Sequence, residues 1–160
     1  MIRILTTIIL LLMVFAPSAI AQRRSDNHQV TVAVQEITLV QTSSGVVNLQ
    51  ITGAGTPAGE DLLTTTDQSS SLLWGTNGSN RKITVVTNLS APLFTLKALA
   101  LNPTAGTPGP EATLSTTAFD FLRNIGRSTG SSTIRYTGVA SATQGTGTDS
   151  HVITFTVQSQ

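Results

Sequence analysis

The sequence predicts an all-β fold, an antiparallel β-sandwich of about seven to eight strands. Three observations carry that reading. Apolar and hydroxyl side chains alternate with period two in several short segments, clusters of Gly, Pro and Asn punctuate them, and almost nothing follows the 3.6-residue helical period. The 160 residues suit one folded domain behind a leader.

Met1 to Arg3 is a short positive start, Ile4 to Phe15 is apolar, and Ala19-Ile20-Ala21 supplies small residues at a cleavage register. That order is that of a secretory signal peptide over 1–21, with Pro17 arguing against an uncleaved anchor. Residues 22–29 are a polar lead-in without apolar period, and the sandwich domain is assigned to 30–160. The product is expected to be secreted, at the cell surface or outside the cell, with the periplasm as the alternative.

Val30, Val32 and Val34 alternate with Thr31, Ala33 and Gln35, after which Ile37 and Leu39 continue in the other phase. This predicts a strand over Val30 to Leu39 with a bulge near Gln35-Glu36. Val47, Leu49 and Ile51 predict a second strand, ended by the turn cluster Gly53 to Pro57. Leu72-Leu73-Trp74 is a short apolar segment before Asn77-Gly78, a strong turn dipeptide. Ile83 to Val86 and Leu93 to Leu101 have apolar residues in both phases, as in strands covered on two sides. Asn102 to Pro110, with three prolines and two glycines, is a loop.

Phe119, Leu122 and Ile125 share a helical face with Ala118, so 116–125 is read as a short helix in preference to a further strand. Thr133 to Ala142 and His151 to Gln158 are strands expected to pair as a hairpin. Their number and spacing fit an immunoglobulin-like sandwich better than a barrel.

Composition narrows function. Without Arg3 the product carries eight basic and eight acidic residues, which offers no electrostatic reason to bind nucleic acid or anionic lipid. The 27 threonines and 16 serines make a hydroxyl-rich, weakly charged surface. No cysteine is present, so stability comes from the core without disulfides. No second long apolar run follows the leader, so no membrane insertion is expected after cleavage.

Chemistry-bearing patterns are sparse. Gly126-Arg127-Ser128-Thr129-Gly130 matches a nucleophile elbow, but the residues after it read as strand where that motif requires a helix. Asp149-Ser150-His151 holds triad residue types, yet neighbours in an extended chain point to opposite faces. His28 and His151 lack a positioned third ligand, and Glu60, Asp61, Asp67, Asn77 and Asn80 lack the regular spacing of a calcium loop. Neither a catalytic residue nor a metal or other cofactor is therefore assigned. Trp74, with Asn77 and Asn80 in the following loop, is the candidate ligand site of a carbohydrate-binding module, since sugar rings stack on exposed aromatics. Trp74 and Tyr136 are nevertheless better read as core, and Arg81-Lys82 as a solvated strand entrance.

The leader, the strand pattern, Asn88 to Leu96 and the terminal strand His151 to Val157 together resemble secreted bacterial β-sandwich proteins of the fimbrial-subunit and spore-coat-U-like kind. The resemblance implies a non-enzymatic exported structural protein, a fimbrial-type subunit or adhesin-like module, whose partners are other copies or other surface subunits joined by strand addition. The chain departs from that pattern in lacking a cysteine pair, and the eight residues before Val30 are polar. Either Val30 to Leu39 is then itself the donated element, or the chain does not polymerise by strand addition.

Overall fold

The computed structural model describes residues 25–43, 45–54 and 56–160. The predicted signal peptide, 1–21, lies outside the described residues. The chain divides into two units, Met1–Val34 and Gln35–Gln160. In the first unit, Ser25 to Val34 holds no strand, helix or turn, and each of its residues is exposed.

The second unit is an all-β sandwich. Its strands are β1 (Thr38–Thr42), β2 (Leu62–Thr76), β3 (Arg81–Thr87), β4 (Thr95–Leu101), β5 (Thr107–Pro108), β6 (Ala112–Thr113), β7 (Phe119–Ile125), β8 (Ser128–Ser141) and β9 (Ile153–Ser159). One antiparallel sheet has the order β1-β2-β8-β4-β6 and the other β5-β7-β3-β9. Leu72, Ala98, Ala100, Ile134 and Tyr136 from the first sheet meet Ile83, Val85, Phe121, Leu122, Ile125 and Phe155 from the second in one core. Alternation produces this directly: in β8 every second residue from Ser132 to Ala140 is buried, and in β9 Phe155 is buried between exposed Thr154 and Thr156.

The expected helix at 116–125 is instead strand β7. Its seven residues oppose only the five from Arg81 to Val85, because the register with β3 slips twice. Such bulges break the two-residue alternation and bury adjacent Phe121 and Leu122, so the apolar spacing imitates a helical face. The predicted strand Val30 to Leu39 is also corrected, since pairing starts only at Thr38.

Val47 to Ile51 likewise does not join a ladder, yet Val47, Leu49 and Ile51 are half-buried between exposed Asn48 and Gln50. Leu49 and Ile51 lie over Gly138 of β8. Val47 and Leu49 also pack against the common core. Alternation reports one buried face, which here comes without backbone pairing.

The expected hairpin between the last two strands does not form. Both sides of β8 are occupied, by β2 and β4, while β9 pairs with β3 in the other sheet. A single 3-10 turn, Ala142–Gln144, begins the crossing. It is closed by a capping box in which Ser141 Oγ accepts from Thr143 N and Gln144 Oε1 accepts from Ser141 N. Asn77-Gly78 also lies in a crossing between sheets, and the left-handed residue of that turn is Asn80, at φ 56°. The predicted loop Asn102 to Pro110 contains the two-residue strand β5.

Candidate functional site

Trp74, Asn77 and Asn80 do not assemble a ligand platform. Trp74 is only 4% exposed and belongs to the core. It faces Gly130 across the β2–β8 ladder, and a Cβ on Gly130 would fall inside the contact distance of the ring atoms Cζ2 and Cε2. The indole therefore lies against backbone where only glycine leaves room. Gly130→Ala is expected to cost about 1–3 kcal/mol through overpacking. A chemical melt followed by the emission of this sole tryptophan measures the loss. An unchanged midpoint and an unchanged emission maximum would contradict the packing described.

Asn77 is committed to structure. Its Oδ1 accepts from Ile37 N at 2.8 Å and its Nδ2 donates to Gln35 O at 2.8 Å. Both ends of the amide thus hold the approach to β1. Asn80 Nδ2 donates to Gln160 O at 3.4 Å, tying the β2–β3 turn to the residue after β9.

The catalytic patterns are equally occupied. Ser128 opens strand β8 and its Oγ donates to Gly126 O at 3.1 Å. Asp149 Oδ2 accepts from Phe94 N at 2.7 Å, while His151 Nδ1 lies 3.0 Å from Oγ1 of Thr87, which is 2% exposed. Acid and imidazole therefore brace two different segments. Among the described residues no three His, Cys, Asp or Glu side chains gather as a metal site. Arg81 and Lys82 are ion-paired and not merely solvated: Arg81 with Glu36, and Lys82 Nζ with Asp120 Oδ1 at 2.9 Å.

What the sequence analysis missed is an edge. Among the described residues β9 pairs with β3 on one side and ends its sheet on the other, so a seven-residue strand has one row of backbone donors and acceptors outside the described ladders. The opposite edge, β5, is two residues long and includes Pro108; on the first sheet, β6 is two residues long. Short strands and proline blunt an edge against pairing. Ile153 to Ser159 carries no proline and no charge.

Beside that edge runs β1, the outer strand of the first sheet, also without charge. A groove of about 200 Å³ separates them, lined by Val40, Gln41 and Thr42 of β1 and Ile153, Thr154 and Phe155 of β9. Val40 is the cross-strand partner of Trp74 and Phe155 is 9% exposed, so the lining mixes apolar Val40, Ile153 and Phe155 with polar Gln41, Thr42 and Thr154. The lack of charge in β9 is visible in the sequence, but its position at an edge is not.

The first unit has the complementary deficit. Val30, Val32 and Val34 are 71%, 83% and 74% exposed, on a segment whose neighbours Thr31 and Ala33 complete a strand pattern. An extended alternating segment buries one face only when a sheet receives it. Comparison with known proteins finds no match among family models, curated proteins or solved structures.

Proposed function

We propose that the protein is an exported, non-enzymatic structural subunit of the cell exterior that joins copies of itself by strand addition. Gln29 to Val34 of one copy pairs along the edge of β9 in another, and its valines meet Val40, Ile153 and Phe155, the apolar members of the groove lining. The observation that carries this reading is the coexistence, in one chain, of an exposed segment with alternating valines and a strand edge without proline or charge. Main-chain hydrogen bonds supply affinity in strand addition, and alternate side chains entering a cleft supply selectivity. Export rests on the leader Met1 to Ala21. The carbohydrate-binding alternative depends on an exposed Trp74 ring, and that ring is enclosed.

The test uses the chain beginning at Gln22. Full-length material is expected to form assemblies that grow with concentration, seen by sedimentation and electron microscopy. Val32→Asp, which places a charge in the middle of the donated face, is expected to leave folded monomers with an unchanged melting temperature. Wild-type material that stays monomeric at high concentration, or a Val32→Asp variant that assembles like wild type, would remove the proposal.

A further inference from the structure

The groove between β1 and β9 is tied shut at one end by a single side chain. Arg81, the first residue of β3, donates to Oε1 of Glu36, two residues before β1, and to Oγ of Ser159, the last residue of β9. One guanidinium thus joins the two strands that line the groove. Its side chain is 16% exposed, whereas that of Glu36 is 59% exposed. Planar, multi-donor geometry suits an arginine to this double attachment.

The brace matters because the groove is narrow. Cα atoms of β1 and β9 approach within 8 Å. Seating a strand between two others requires two ladder steps, roughly 9–10 Å. An incoming strand therefore fits only if β1 and β9 part. The other attachments of β1 do not oppose that movement. Five residue pairs hold it to β2, and Asn77 at the end of β2 holds Gln35 and Ile37, all within the first sheet. Arg81 alone, among the described hydrogen bonds and ion pairs at this end, spans from Glu36 to β9.

We infer that Arg81 and Glu36 form a latch that slows entry of the strand from a second copy. The inference rests on the strand-addition reading and adds the control of its rate. Opening the latch breaks an ion pair and leaves the ladders of both sheets intact, so the folded subunit persists while waiting for a partner.

Assembly kinetics test this, followed by light scattering on the chain beginning at Gln22. Glu36→Gln keeps the side-chain shape at an exposed position and removes the charge. It is expected to assemble about two- to fivefold faster than wild type, the scale of an ion pair with one exposed member. Added salt is expected to accelerate wild type and leave Glu36→Gln unchanged, because screening weakens the pair only where it exists. Ser159→Ala, which cuts the attachment on the β9 side, should shift the rate in the same direction. If wild type assembles and Glu36→Gln does so at an equal or lower rate, the latch is wrong and strand addition stands. If neither assembles, strand addition fails and the latch falls with it.

Discussion

Phe121→Ala is expected to destabilise the sandwich by about 3–5 kcal/mol, the cost of emptying an aromatic site in a packed core. Phe121 is 1% exposed and stands edge-on to Phe155, with ring centroids 5.1 Å apart and planes at 62°. The pair joins β7 to β9, the inner and outer neighbours of β3, so the loss reaches both sides of β3 in the second sheet. Phe119, two residues earlier, is only partly buried at the rim of the same core. Phe119→Ala should cost clearly less. A helix over this stretch would bury Phe119 with Leu122 and Ile125, whereas the bulged strand buries Phe121. Denaturant titrations of both variants separate these arrangements, and a larger loss at Phe119 would contradict the β7 register.

The second large effect is a loss of stability in alkali. Tyr136 is 7% exposed and faces Asp67 across the β2–β8 ladder. Burial, with the Asp67 carboxylate adding repulsion, pushes the phenol up to about 12 from an ordinary value of 10.0. The folded state therefore holds its proton where the unfolded chain releases it. Stability from this source is complete below pH 10 and falls as pH rises towards 12. The full loss is about 2–3 kcal/mol. Tyr136→Phe removes the ionising group and should show a flatter profile across that window. Because the chain has one tyrosine, tyrosinate absorbance reports this group alone. An ordinary titration midpoint, or a parallel decline of wild type and Tyr136→Phe, would refute the account.

The position of Asp67 explains why this tyrosine is so placed. A bulge lies between Asp67 and Ser70, where the register with β8 passes from Tyr136 to Ile134. Asp67 Oδ1 accepts from Ser69 N at 3.0 Å and Ser69 Oγ at 2.7 Å, binding the extra residue locally. The bulge keeps Leu72 and Trp74 on the inward face despite the odd residue count. No single segment of the sequence announces it, because Gln68 to Ser71 is polar throughout.

Much of the fold was legible where a strand has one wet and one dry face. β9 shows it best: Ile153, Phe155 and Val157 turn inward and the threonines between them outward, as the alternation requires. β8 follows with shifted boundaries, and β3 and β4 were legible from apolar residues in both phases. Legibility failed at β7, where bulges replaced alternation with adjacent buried residues, and at Val47 to Ile51, where alternation marks a covering segment outside any ladder. Trp74, Asn77 and Asn80 looked like a loop-borne ligand set because sequence proximity does not reveal orientation. The ring points into the core and Asn77 binds backbone.

The sequence by itself determined that the chain is β, that its surface is rich in hydroxyls, and that Val30 to Val34 has one apolar face. Side-chain patterning encodes each of these locally, through the partition of apolar groups away from water. Only the tertiary structure decided which strands end the sheets, that Glu36 and Ser159 meet at Arg81, and that among the described residues no strand pairs with the outer side of β9. Those facts depend on pairings between residues far apart in the chain, such as Arg81 with Ser159, 78 positions on. Backbone hydrogen-bonding groups are the same in every residue, so composition cannot record which of them remain unpaired.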